Sequence, residues 1–241
     1  MLNPLIPFAI KGVIWYQGEA NVKMGSAYKT LLSNLISNWR ESWGQGDFPF
    51  LIVQLANYGK NPNDPVAISR KSELMEAQYH VSKEVPNTGL AVTVDIGGDG
   101  SDIHPKNKKD VGLRLALAAR KIAYGEDIVH SGPNYESMQE MDGKIRIKFS
   151  NVGSGLEARG GDLKTFAISD GAKFAWAKAE IENPSEAGKV ADSVIVWSEE
   201  INKPTAVRYA WSDNPVGCNL YNKEGLPAVP FRTDRLEERK K

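Results

Sequence analysis

In the first half of the chain, continuous apolar runs alternate with stretches whose apolar residues recur every third or fourth position. KGVIWY, residues 11–16, is apolar, β-branched and aromatic, and predicts a strand. Tyr28, Leu31, Leu32, Leu35, Ile36, Trp39 and Trp43 then line one helix face, which Gly44 ends. FPFLIVQLA, 48–56, is the near-continuous run of a strand covered on both faces. A Pro- and Asn-rich loop, 57–65, leads to a helix predicted over about 67–83 with Leu74, Met75 and Tyr79. TGLAVTVDIG, 88–97, predicts a third buried strand, and Val111, Leu115, Ala118 and Ile122 a third helix. The order β-α-β-α-β-α predicts a parallel three-layer α/β/α sheet.

After Gly125 the spacing shortens. KIRIKF (144–149), TFAIS (165–169), KFAWAKAEI (173–181), SVIVWS (193–198) and TAVRYAW (205–211) are short alternating segments punctuated by Gly, Asn, Asp and Pro. They predict antiparallel strands in a smaller, sandwich-like unit. The division is therefore 1–125, α/β, and 126–241, antiparallel β, with the second unit packed against the first. No internal repeat is visible, and the charged DRLEERKK at the end reads as a frayed tail.

Composition narrows the function classes. Of 241 residues 41% are hydrophobic, enough for a sizeable core. Thirty basic and thirty acidic residues cancel, so the basic footprint of a nucleic-acid binder is missing. No apolar run reaches membrane-spanning length, and MLNPLIPFAI lacks the plan of a signal peptide. Cys218 stands alone, which excludes an intrachain disulfide and a cysteine-built metal site. A small polar or neutral ligand fits this balance, with no cofactor called for.

Polar residues crowd the ends of two predicted strands. The first runs into Gln17, Gly18, Glu19 and Asn21; the third into Asp95, Asp99, Ser101, Asp102 and His104, just before a helix. Ligands of open parallel sheets bind at the carboxyl ends of the strands. A histidine, a carboxylate to orient it and an amide across the sheet edge could supply a base, its partner and an oxyanion donor. The bland alternatives are a helix cap or turn for Asp102, and loop-holding hydrogen bonds for Gln17, Glu19 and Asn21. His80, on a helix, and His130, in a linker, read as structural or solvent-facing, and the six tryptophans as core rather than a sugar platform. GGDG, 97–100, lacks the lysine and the following Ser or Thr of a phosphate loop.

Six ordered stretches carry a resemblance over nearly the whole chain: PFAIKGVIWYQGEAN, WGQGDFPFLIVQLANY, DIHPKNKKDVGLRLALAA, YGEDIVHSGP, RYAWSDNP and NLYNKEGLPAVPFRTD. The sequence resembles bacterial sialate O-acetylesterase-like proteins of the SGNH hydrolase superfamily. That resemblance implies an SGNH-type sheet and a serine esterase that removes acetyl groups from sugar hydroxyls, needs no metal, and is exported to the periplasm or secreted. By motif match His104 is the general base and Gln17 stands where related enzymes place an oxyanion-hole asparagine.

The pattern also departs from that family. Its nucleophile block, of the form GQSNM, lies upstream of YQGE in relatives and is not found here, so the chain reads as the C-terminal portion of the hydrolase domain with the serine expected outside it. A three-stranded sheet leaves an edge that a missing N-terminal segment, a separate polypeptide or a second copy would cover. Many SGNH enzymes set the acid three residues before the histidine, where this chain has Ser101; Asp102 is two before. Asp102 then orients His104, or a backbone carbonyl does, with Glu19 and Asp95 as weaker candidates. Two rivals stand beside this reading: an inactive carbohydrate- or partner-binding remnant, and an esterase with a substitute serine such as Ser26 or Ser101.

Overall fold

The computed structural model describes residues 2–61, 64, 65, 69–184, 186 and 188–234. Its first half is a parallel sheet of β1 (Val13–Trp15), β2 (Phe50–Val53) and β3 (Thr88–Ala91), in that order, with Ile14 opposite Leu51 and Leu51 opposite Gly89. Three helices cross between or follow the strands: α1 (Gly25–Trp43), α2 (Arg70–Glu84) and α3 (Lys108–Ile122).

The alternation of β2 decides the layers. Phe50 and Ile52 face one side with Leu32 and Ile36 of α1 and Leu74 of α2, while Val53 packs on the other with Val111 and Leu115 of α3. Gly89 of β3 sits under α3 so closely that a Cβ there would lie 2.6 Å from Ile122 Cδ1. The result is the three-layer α/β/α arrangement expected, tightened by Trp15, Trp39 and Phe50, whose rings lie about 6 Å apart in pairs. Gly44 closes α1 in the left-handed conformation and returns its N–H to Arg40.

The helix predicted over 67–83 begins at Arg70, where Ser69 caps Ser72; the start assigned to 67 and 68 lies outside the described residues, as does the tail from 235 onward. The strand predicted to reach residue 97 leaves the ladder after Ala91. There Val94 and Asp95 turn, which lets Asp95 reach Arg114 of α3.

The second half holds β4 (Asn134–Met141), β5 (Lys144–Ser150), β6 (Leu156–Ala158), β7 (Phe166–Ser169), β8 (Phe174–Trp176), β9 (Lys178–Ile181), β10 (Ser193–Trp197), β11 (Ala206–Tyr209), β12 (Leu220–Asn222) and β13 (Phe231–Arg232). They form antiparallel sheets β4-β5-β10-β9 and β13-β11-β7-β8 and a ribbon β12-β6. Ile145, Ile147 and Phe149 of β5, Val194 and Val196 of β10 and Phe166 and Tyr209 of the second sheet are buried in one cluster with Ile36 and Leu74 from the first half. KFAWAKAEI is not one strand: Ala177 gives its N–H to Phe166, and β8 and β9 pair in different sheets. β4, NYESMQEM, is an outer strand with mostly exposed polar side chains, which is why no alternation announced it.

Among the described residues no strand pairs with the outer edge of β1. Ile14 of β1 is itself 69% exposed. Among the described residues no helix is long and apolar enough to cross a membrane. Trp176 departs from the core reading given to the tryptophans and is 45% exposed.

Candidate active site at the strand ends

β1 delivers Gln17 to the carboxyl edge of the sheet. Behind it Gly18 is buried so tightly that a Cβ would meet Leu74 at 3.0 Å and Leu55 at 3.2 Å, which seats the loop on α2. Tyr28 donates from its hydroxyl to the Gln17 carbonyl at 2.9 Å, with Gln17 Oε1 3.1 Å away. Gln78 Nε2 donates to the same carbonyl at 3.2 Å. Burial raises the Tyr28 pKa, which keeps this hydroxyl a donor. Gln17 Nε2 gives one hydrogen to Asn21 Oδ1 at 2.8 Å. An amide nitrogen carries two, and among the described residues the second N–H has no partner. Glu19 opens the 3-10 turn Glu19–Met24 and is exposed.

The loop after β3 carries His104. Asp102 Oδ1 accepts the His104 backbone N–H at 2.8 Å and lies 3.4 Å from the ring Nδ1. A carboxylate two residues before the histidine thus makes the tight turn of an aspartate bonded to its own chain, and the same oxygen reaches the ring. That N–H, first, and the imidazole beside it lower the Asp102 pKa. The His104 side chain is 86% exposed and, among the described residues, Nε2 has no partner. Asp99 is occupied by Ser101, whose backbone N–H and hydroxyl it accepts at 2.9 and 2.6 Å. Ser26 lies exposed in the first turn of α1. Among the described residues no serine hydroxyl is hydrogen-bonded to His104.

Asp95, a candidate orienting acid from sequence, is engaged elsewhere. Arg114 grips it with two nitrogens at 2.6 and 2.7 Å, and the Tyr221 hydroxyl donates to it at 2.9 Å. Burial and then Asp95 itself raise the Tyr221 pKa, and burial pushes the neighbouring Cys218 thiol up to about 12, so that thiol is unreactive. Arg114 was legible in principle: it lies three residues after Val111 and four before Ala118, inside the apolar stripe of α3. Gln78 sits likewise between Met75 and Val81 on the buried face of α2.

Lys71 was also missed. It is 7% exposed in the first turn of α2, its Nζ lies 5.5 Å from the centre of the Tyr58 ring, and burial lowers its pKa to about 8 against the opposing pull of Asp213 and Glu19. The unfolded chain therefore binds this proton more tightly than the folded one. Lys71→Met is expected to raise stability by up to about 3 kcal/mol below pH 8, with the gain fading between pH 8 and about 10.5 as both states lose the charge. Urea unfolding of both proteins across that range checks it.

Comparison with known proteins gives the family. Residues 3–122 match the family model described as carbohydrate esterase, sialic acid-specific acetylesterase. Sialate O-acetylesterase of Homo sapiens is 31% identical over 96% of this chain and 47% of its own length, and that of Mus musculus 31% over 96% and 46%. The crystal structure of a carbohydrate acetylesterase from Xanthomonas citri, 42% identical, superposes with a TM-score of 0.87 over 97% of this chain and 52% of that one. The chain thus spans about half the length of the relatives it matches. On these matches, with the parallel sheet and its helices, the chain belongs to the carbohydrate esterase family of sialic acid-specific acetylesterases.

Proposed function

We propose that this chain supplies the base and one oxyanion donor of an esterase that hydrolyses acetyl esters on sugar hydroxyls, and that the serine nucleophile comes from outside these residues. The observation that carries this reading is the placement of Gln17 and of the Asp102–His104 pair beyond the carboxyl ends of the two outer strands of one parallel sheet. A segment that adds a strand along the open edge of β1, beside the exposed Ile14, would bring the serine near them.

The steps then follow from the groups. His104 Nε2 takes the serine proton as the hydroxyl oxygen attacks the acetyl carbonyl, and Asp102 beside Nδ1 steadies the imidazolium. The free N–H of Gln17 meets the oxyanion, an interaction worth about 3 kcal/mol in the transition state. As the tetrahedral intermediate collapses, His104 returns the proton to the departing sugar oxygen. Water, deprotonated by His104 in turn, cleaves the acetyl-serine and releases acetate. Acetylated sialic acid, xylan and other glycans all present such an ester.

The reading is tested by joining the chain to the part of the Xanthomonas citri relative that the match leaves uncovered and following acetate release from O-acetylated sialic acid. Release that depends on His104 is expected. A folded chimera that binds the sugar without releasing acetate favours the binding-remnant alternative.

A further inference from the structure

The loop that carries His104 is braced within itself by Asp99 and Asp102, but these exposed side chains bond only to neighbours in the loop. Asp99, Ser101, Asp102 and His104 are all exposed, and from residue 92 onward the chain has left the β-ladder. Beyond Asp95 on Arg114 and Ile96 beside Val111, its anchors come from two buried amides on other parts of the chain. Asn57, after β2, accepts the Gly97 N–H on Oδ1 at 2.6 Å and donates from Nδ2 to Asn214 Oδ1 at 2.7 Å. Asn214, in the WSDNP turn of the second unit, donates to the Gly59 carbonyl at 2.6 Å and to the Asp99 carbonyl at 3.3 Å. Gly59 in turn donates to Gly100 at 2.9 Å.

The seating is close. A Cβ on Gly97 would lie 2.1 Å from the Asn57 carbonyl oxygen, and one on Gly100 would lie 2.2 Å from Asn214 Nδ2. The turn that brings Asn214 is fixed from the helix side, because Tyr58 donates its N–H to the Asp213 carbonyl at 2.9 Å and the Ser69 cap of α2 donates to Asp213 Oδ1 at 2.6 Å. Asn57 and Asn214 are both buried, so a carboxamide lost from this network leaves its partners without water to replace it.

We propose that Asn214 is a positioning residue for the base: the antiparallel unit reaches over the sheet and, through Asn214 and Asn57, sets where the Gly97–His104 loop stands. This rests on the reading of His104 as the base, and it assigns the second unit a part in the reaction that touches no substrate. A reacting group displaced by about 1 Å can lower a rate on the order of a hundredfold, so fixing this loop is of direct consequence.

The test uses the whole chain and needs no turnover. Backbone amide exchange and the ring signals of the three histidines are followed by NMR in the native chain and in Asn214→Ala, with His104→Ala identifying the His104 ring. The expected result is exchange at least tenfold faster at the Gly97 and Gly100 amides and a displaced His104 ring signal. The His80 and His130 rings and the amides of Ile145 and Val194 stay as they were. Asn214→Asp fills the same space and still accepts from Asn57, but sets a carboxylate against the Gly59 and Asp99 carbonyls. It is expected to loosen Gly100, move the His104 signal and spare Gly97, and it decides the matter should Asn214→Ala fail to fold. An unmoved His104 signal in both variants, or exchange accelerated evenly throughout the chain, overturns the proposal. Because neither readout involves hydrolysis, loss of the esterase reading and loss of this one are told apart.

Discussion

In the chimera that restores the uncovered part of the fold, His104→Ala is expected to lower kcat for acetyl-ester hydrolysis by at least a thousandfold while KM changes little. The size follows from what the imidazole does. In the proposed mechanism it holds the serine proton in the first transition state, hands it to the sugar oxygen, and deprotonates water in the second half. Removing such a base from a serine hydrolase lowers kcat by roughly 10^4 to 10^6, and the residual rate comes from oxyanion donors and binding alone. KM is expected to be spared because, on the proposed mechanism, the exposed ring meets the reacting proton rather than the body of the sugar. Initial rates on O-acetylated sialic acid check this. A loss below tenfold would remove His104 from the chemistry and turn attention to another base.

The largest effect on stability is expected at Arg114. Its guanidinium binds Asp95 through two nitrogens, gives a further hydrogen bond to the Val92 carbonyl at 2.6 Å, and is buried, with only 13% of the Asp95 side chain exposed. Arg114→Met leaves a carboxylate under α3 with only the Tyr221 hydroxyl to meet it. A buried charge stripped of its counter-ion costs about 3 to 5 kcal/mol. For a chain of this size that lowers Tm by roughly 6 to 20 °C. Asp95→Leu together with Arg114→Met should recover most of the loss, since a well-packed apolar pair of similar volume can equal a buried ion pair. Thermal unfolding of the two variants separates an uncompensated charge from a packing defect: a double variant no better than the single one means that shape, not charge, was lost.

How far the sequence reached depends on distance along the chain. The strands of the sheet and α1 were legible because each is written in consecutive residues: FLIV covered on both faces, the Tyr28 to Trp43 stripe, Gly44 at its end. That Gln17, Asp102 and His104 follow strand ends was legible for the same reason. The Asn57–Asn214 bond joins residues 157 positions apart, and neither asparagine differs locally from an ordinary turn residue. β6, β12 and β13 have three, three and two residues, too short for any period to show. Asp95 read as part of the polar cluster because its neighbours are polar, yet its side chain turns inward to an arginine on the apolar stripe of the next helix. Only the tertiary contact reveals that choice.

The claim on which the rest depends is that these residues hold the base and a donor but no working nucleophile. The most direct measurement is release of 4-nitrophenol from 4-nitrophenyl acetate by the pure chain beside its His104→Ala variant. The expected result is no difference between the two. Hydrolysis by the chain that His104→Ala abolishes would put a nucleophile among these 241 residues, with Ser101 or Ser26 the first to replace, and would contradict the claim.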